Sequence, residues 1–107
     1  MDPVFTVERV SLNGEARVRF VGELDMAEVE RAQVEVIEVL DQSSGDLTID
    51  LSTLTFCDSS GMRLLYRLDG EAKARGRTMV LQRPTPAVHR VLSLLGLLQF
   101  LTIEDDA

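Results

Sequence analysis

Two adjacent serines, Ser59 and Ser60, stand where a strand-like segment gives way to a helical pattern. The segment before them, residues 47–57, is apolar and β-branched; Asp58 ends it, and Gly61 follows the serines. A strand-to-helix turn exposes the first backbone N–H groups of the helix, which together with the helix dipole favour an anion such as phosphate. The serines could therefore serve as a nucleophile, a phosphorylation site or a helix cap.

A catalytic serine needs a general base, and this chain has little to offer as one. His89 is its one histidine; it is predicted on the polar side of the third helix, with no predicted route to Ser59. The sequence contains neither a Gly-x-Ser-x-Gly elbow nor a phosphate-binding Gly-x-x-x-x-Gly-Lys-Ser/Thr loop. We therefore predict that the protein is not an enzyme and uses no cofactor.

A phosphoryl group on a serine of this turn would add about −1.5 to −2 charges. Asp58 beside it would repel that charge, and a partner docked on the turn would lose contact with it. A serine in this position is equally suited to be an ordinary N-cap of the helix. The residues themselves leave the phosphorylation site and the cap open.

Asp25 and Cys57 are the other candidates for chemistry. Asp25 follows the second predicted strand, and Glu28 three positions later completes a capping-box pattern, so Asp25 is predicted to be the N-cap of the first helix. The carboxylates of Asp25 and Asp58 are candidate ligands for Mg²⁺. A phospho-accepting receiver domain, however, has paired acidic residues and a lysine that this sequence lacks, so we expect no metal. Cys57 is predicted to be a small buried hydrophobic residue, with a redox role as the alternative.

Three residues of the second helix share a face with Ser59. Met62, Arg63 and Tyr66 lie three, four and seven positions after it, away from the predicted buried stripe. An exposed Met and Tyr beside an Arg is a composition favoured in protein interfaces, although ordinary surface residues would look the same. The apolar run 94–101 is predicted to be core with a covering loop, and excess exposure there would indicate a dimer surface.

The elements that position these residues follow the order β-β-α-β-α-β-α-β. Asn13-Gly14 predicts a hairpin between the first two strands, and later strands alternate with helices, so we predict an α/β fold with a mixed, mostly parallel sheet. Right-handed crossovers then bring Asp25 and Ser59 to one end of the sheet. The predicted strands are 5–10, 16–21, 47–51, 78–81 and 101–103, and the predicted helices are 25–40, 59–75 and 85–95.

Composition limits the partners. The chain has 107 residues, with 18 acidic and 11 basic side chains and a net charge of −7, which argues against nucleic acid and against anionic membranes. A single cysteine and the absence of a signal pattern indicate a cytoplasmic protein. We predict one domain over residues 1–107, a monomer or weak homodimer whose partners are proteins.

Several motifs together resemble the bacterial anti-sigma factor antagonists, whose module is called the STAS domain. The motifs are at 22–25, 49–51, 56–61, 84–92 and 96–97, in order along nearly the whole chain. The resemblance implies a non-enzymatic protein whose unphosphorylated form binds an anti-sigma factor and frees a sigma factor. That anti-sigma factor is also a serine kinase, which would phosphorylate Ser59, and a PP2C-type phosphatase would restore binding.

The resemblance also implies that Asp25 acts in contact and phosphotransfer near the kinase site. The expected partner-binding residues are Asp25, Asp58, Ser59, Ser60, Met62, Arg63 and Tyr66. Many members have a small residue where this chain has Arg63, which could pair with a phosphate on Ser59 or with an acidic patch of a partner. The alternative is a non-switching interaction subunit of an ATPase complex, such as a lipid transporter.

Overall fold

Over residues 3–10 and 14–105, which the structure describes, the computed structural model has six strands, three α-helices and one short 3₁₀-helix. The strands are β1 (Phe5–Arg9), β2 (Glu15–Leu24), β3 (Ser44–Asp50), β4 (Leu54–Cys57), β5 (Met79–Gln82) and β6 (Thr102–Glu104). The helices are α1 (Val29–Asp41), α2 (Ser59–Ala74) and α3 (Pro86–Leu94), with the 3₁₀-helix at Leu97–Gln99.

The sheet is mixed, as predicted. β1 and β2 pair antiparallel, while β2, β3, β5 and β6 pair parallel in the order β1-β2-β3-β5-β6, and β4 pairs with β2. The predicted hairpin residue Asn13 lies outside the described residues, and Gly14 has a φ of 78°. The mostly parallel α/β fold with an N-terminal antiparallel hairpin is confirmed.

A strand that the sequence pattern did not separate follows β3. The chain turns after Asp50, whose carboxylate accepts a hydrogen bond from the Ser52 N–H at 2.9 Å, and then resumes as β4. β2 is ten residues long, so its first half pairs with β3 and its last three residues pair with β4. The run 47–57 contains no glycine or proline, so nothing in its pattern marked this turn.

The core lies between the helices and one face of the sheet. Side chains that alternate along the strands, among them Val18, Phe20 and Ile49, are fully buried, and α1 and α2 pack against each other and against the sheet. The predicted buried stripe of α2 is confirmed, because all its members lie in the core: Gly61, Leu64, Leu65, Leu68 and Ala72.

The start of α1 differs from the prediction. The Asp25 carboxylate accepts a hydrogen bond from the Ala27 N–H at 3.0 Å, so it stabilises a turn over residues 26–28 rather than the helix. The helix begins only at Val29, and Glu28 makes no side-chain cap; its carboxylate instead pairs with Arg31 at 2.6 Å. The predicted N-cap at Asp25 and its capping box are therefore wrong, because the chain makes a local turn first.

The third helix begins as predicted but ends in an exposed segment. The Thr85 hydroxyl accepts from the Val88 N–H at 3.3 Å, with Pro86 as the first helical residue, and Gly96 follows the helix with a φ of 70°. Within the run 94–101, Leu101 is buried and Leu97 and Leu98 pack against the core, in keeping with the prediction of core and a covering loop. Leu94, however, is 74% exposed. Leu95 and Phe100 are also at least half exposed.

Candidate partner-binding site

Parallel pairing of β2 with β4 brings two strand-to-helix turns together. The Asp58 N–H donates to the Leu24 carbonyl at 3.2 Å, so the turn after β4 lies directly beside the turn after β2. The Met26 backbone N–H of the first turn helps to lower the pKa of Asp58 in the second. The predicted meeting of Asp25 and Ser59 at one end of the sheet agrees with this geometry.

Asp58, rather than either serine, caps α2. Its carboxylate accepts from the Gly61 N–H at 3.0 Å and from the Ser60 hydroxyl at 2.5 Å. Partial burial raises the pKa of Asp58, but these hydrogen bonds and the nearby backbone N–H groups of Ser60 and Met26 outweigh it and hold the pKa below its usual value. The expectation of free N–H groups at this helix start is therefore wrong for Gly61, whose N–H already donates to a carboxylate of the chain itself.

The two serines have different environments. Ser60 is partly buried and donates to Asp58, whereas Ser59 is exposed as the first residue of the helix. Within the described part of the chain, no hydrogen bond holds the Ser59 hydroxyl. Ser59 is therefore the accessible hydroxyl of the pair.

An apolar groove of about 510 Å³ begins at Ser59 and runs between α2 and the segment after α3. Tyr66 is 52% exposed and meets the Phe100 ring edge-on, with 6.4 Å between centroids. The lining residues are Ser59, Met62, Arg63, Tyr66, Leu95 and Leu97. An exposed apolar groove rimmed by a cation has the character of a protein-docking surface.

The expectation of an exposed Met62 is wrong. Met62 has no exposed surface and belongs to the core beneath the groove, because α2 turns this position toward the sheet. Arg63 and Tyr66 are exposed, as expected. The exposed face of α2 beside Ser59 thus consists of a cation and an aromatic ring over a buried methionine.

Sequence reasoning missed the second wall of this groove. Leu95, Leu97 and Phe100 were expected to cover the core, yet they stand across from Tyr66 with Leu95 and Phe100 at least half exposed. The signal in the sequence was the apolar run 94–101, which contains more apolar residues than the buried face of one helix needs. Its direction depends on the turn at Gly96, which the sequence marks without showing where the chain goes next.

Cys57 and Gly61 fix the base of the site. Cys57 is buried, as predicted, and burial, with the charge of Asp58, raises its thiol pKa to about 12, so the thiol stays protonated. A Cβ on Gly61 would lie 2.5 Å from the Cys57 sulfur and 3.0 Å from Leu24 Cγ. Gly61 is therefore required for the close approach of α2 to the sheet.

Within residues 3–10 and 14–105, no group of three or more His, Cys, Asp or Glu side chains could hold a metal ion. None of the helices in that part of the chain has the length and apolar character needed to span a bilayer.

The fold and motifs agree with a known family. The family model described as "Mlab, STAS domain" matches residues 8–102. The chain therefore belongs to the STAS domain family.

Solved structures with the same fold include anti-sigma factor antagonists. One, from Mycobacterium paratuberculosis, is 26% identical, with a TM-score of 0.77 over 94% of this chain and 83% of that one. SpoIIAA, described as a Bacillus cell fate determinant, is 26% identical in its unphosphorylated form, with a TM-score of 0.72 over 92% of this chain and 86% of that one. SpoIIAA has also been solved in a phosphorylated form.

The same fold occurs in another setting. A sulfate transporter family protein from Wolinella succinogenes is 17% identical, with a TM-score of 0.75 over 92% of this chain and 82% of that one. The fold alone does not decide between these functions, so the function must be argued from the site.

Proposed function

We propose that this protein is an anti-sigma factor antagonist, a non-catalytic binding module whose partner choice is switched by phosphorylation of Ser59. The observation that carries the proposal is the exposed Ser59 hydroxyl, free of hydrogen bonds within the described residues, at the mouth of an apolar groove. The serine is accessible to another protein's active site, and the groove offers that protein a surface on which to dock.

The relatives support this proposal. Two anti-sigma factor antagonists share the fold at 26% identity, and one of them exists in phosphorylated and unphosphorylated forms. In this proposal the unmodified chain binds an anti-sigma factor in the cytoplasm and releases a sigma factor. That anti-sigma factor is a serine kinase that modifies Ser59, and a PP2C-type phosphatase reverses the modification.

The charges around Ser59 explain why modification would break the complex. A phosphate there would lie next to the Asp58 carboxylate, which the low pKa keeps ionised. A partner that covers both groups would have to remove a dianion and a carboxylate from water together. Asp25, Ser60, Arg63 and Tyr66 complete the proposed contact surface, while Met62 supports it from below.

The test begins with an affinity-tagged chain expressed in its native cells, from which the co-purifying proteins are identified. The kinase recovered in this way is incubated with ATP and the purified chain, and mass spectrometry locates the phosphate. We expect one phosphate at Ser59, lost in Ser59→Ala and retained in Ser60→Ala. Modification that persists in Ser59→Ala would reject the site.

A second candidate is a non-switching STAS subunit of an ATPase complex, such as a lipid transporter. The observation that favours it is the apolar groove itself, which could hold a permanent partner. The same purification separates the two candidates. A transporter ATPase, recovered equally with wild type and Ser59→Asp, would favour this second function over the switch.

A further inference from the structure

We propose that the pairing of Arg63 depends on whether Ser59 is phosphorylated. In the phosphorylated chain its guanidinium pairs with the phosphate; in the unmodified chain it remains free to bind a carboxylate of the partner segment that occupies the groove. The inference rests on the proposed function and adds to it the mechanism by which one phosphate changes the surface.

The N-terminus of α2 is a poor site for the phosphate. The Gly61 N–H and the Ser60 hydroxyl already donate to the Asp58 carboxylate. A phosphate on Ser59 would therefore find these donors occupied and a negative charge beside them. It needs a cation from elsewhere to offset its charge.

Arg63 is placed to supply that cation. It lies four residues after Ser59 on α2, a spacing that puts the two Cβ atoms about 5–6 Å apart, and both residues line the groove. Within the described residues, no hydrogen bond or ion pair holds the Arg63 guanidinium. Arg67 is one turn farther away, and its guanidinium donates to Gln33 at 2.7 Å.

The same cation defines the chemistry of the partner segment. The groove wall is apolar, with Tyr66 and Leu95 half exposed, and Arg63 supplies the positive charge at its rim. A segment with an apolar face and a carboxylate at the end near Ser59 would complement both features. Once the Ser59 phosphate holds Arg63, that carboxylate meets a neutralised cation and a nearby anion, and binding weakens.

The test uses protein with phosphoserine placed at position 59 during translation, so no kinase is required. Phosphorus NMR titrations give the phosphate pKa for the otherwise wild-type chain, for Arg63→Gln and for the matched control Arg67→Gln. A cation near the phosphate favours its dianion, so we expect a pKa about half a unit lower in wild type than in Arg63→Gln. Arg67→Gln should match wild type, and about 1 M salt should remove the difference.

Equal phosphate pKa values in wild type and Arg63→Gln would overturn the inference, and so would an equal effect of Arg67→Gln. Circular dichroism melts of the three proteins establish that each is folded, and Arg63→Lys provides a second variant that should keep the lowered pKa. Failure here is distinguishable from failure of the proposed function. A chain that no kinase modifies at Ser59 removes the switch, whereas equal pKa values remove only the role of Arg63.

Discussion

The two neighbouring strand-to-helix turns each begin with an aspartate, Asp25 after β2 and Asp58 after β4, but the two carboxylates make different hydrogen bonds. The Asp58 carboxylate accepts hydrogen bonds from the Gly61 N–H and the Ser60 hydroxyl, which hold its pKa below the usual value, and the Asp58 N–H donates to the Leu24 carbonyl at the other turn. Asp25 accepts one bond from the Ala27 N–H and leaves α1 without a side-chain cap. The first turn is therefore stabilised locally, while the second is fixed to its neighbour.

The different hydrogen bonding of Asp58 and Asp25 indicates that the two residues have different roles at this end of the sheet. A carboxylate whose acceptor sites are filled by the chain has little left to offer a partner. Asp58 thus fixes the turn that presents Ser59, whereas the Asp25 carboxylate accepts only the Ala27 N–H within the described residues. Substitutions at and around the two turns should reveal this division as differences in stability and in binding.

The largest effect is expected where the two turns touch. Gly61→Val would place new atoms against the Cys57 sulfur and Leu24 Cγ, which approach a Cβ to 2.5 and 3.0 Å. Overpacking of this kind should lower the free energy of unfolding by about 3 kcal/mol in urea denaturation. Gly70→Val on the same helix, where a Cβ meets nothing within 4 Å, is the control and should change little. Equal losses in both variants would show that α2 does not depend on this contact.

Asp50, at the end of β3, is a third aspartate to compare with Asp25 and Asp58, because arginine side chains donate to its carboxylate. Asp50 is 2% exposed and pairs with Arg83 at 2.8 Å and Arg19 at 3.2 Å. Burial raises its pKa, but hydrogen bonds from Ser52 and the two arginines lower it to about 2 from an ordinary 3.8. Because the folded pKa is the lower one, the stabilisation is complete above the ordinary value and is lost as pH falls through the folded value.

The pH dependence can be measured against Asp50→Asn. The wild type should exceed this variant by about 2 kcal/mol in the free energy of unfolding near pH 6. The gap should shrink as the pH falls from about 4 to about 2, the window between the two pKa values. A gap that stays constant over that window would mean that the carboxylate charge contributes nothing.

Alanine substitution of Asp58 should destabilise the protein more than alanine substitution of Asp25. Asp58→Ala removes the cap of α2 and leaves the Gly61 N–H and the Ser60 hydroxyl without their acceptor, so urea denaturation should show a loss of about 1–2 kcal/mol. Asp25→Ala removes one exposed bond and should cost about 0.5 kcal/mol. Asp58→Asn, which keeps an accepting oxygen, should recover part of the loss. Equal costs at the two positions would contradict the division of roles.

Apart from the break between β3 and β4, the order of elements was predictable because hydrophobic periodicity and turn residues mark the elements. Thr85-Pro86 and Gly96 located α3, and the stripe from Gly61 to Ala72 located the buried face of α2. The sequence left a serine cap of α2 open and the cap is Asp58, since Asp58, Ser59 and Ser60 all have the chemistry of an N-cap. Only the backbone direction decides which of them reaches the N–H groups.

Burial near the site was harder to predict than element type. Met62 lies beside residues of the exposed face in a helical projection, yet it is completely buried in the core. The groove wall at Leu95 and Phe100 depends on a chain reversal after α3, a tertiary property that local patterns do not encode. The candidate serine could be found from sequence, whereas the surface around it required the structure.

The most direct measurement of the central claim is the affinity of the anti-sigma factor for two forms of the chain, unmodified and carrying phosphoserine at position 59. Isothermal titration calorimetry at one salt concentration should give a Kd at least tenfold weaker for the phosphorylated form, a difference of about 1.4 kcal/mol. Ser44→Ala, which changes an exposed serine at the start of β3, should bind like wild type. Equal affinities of the two forms would contradict the account that Ser59 is the switch.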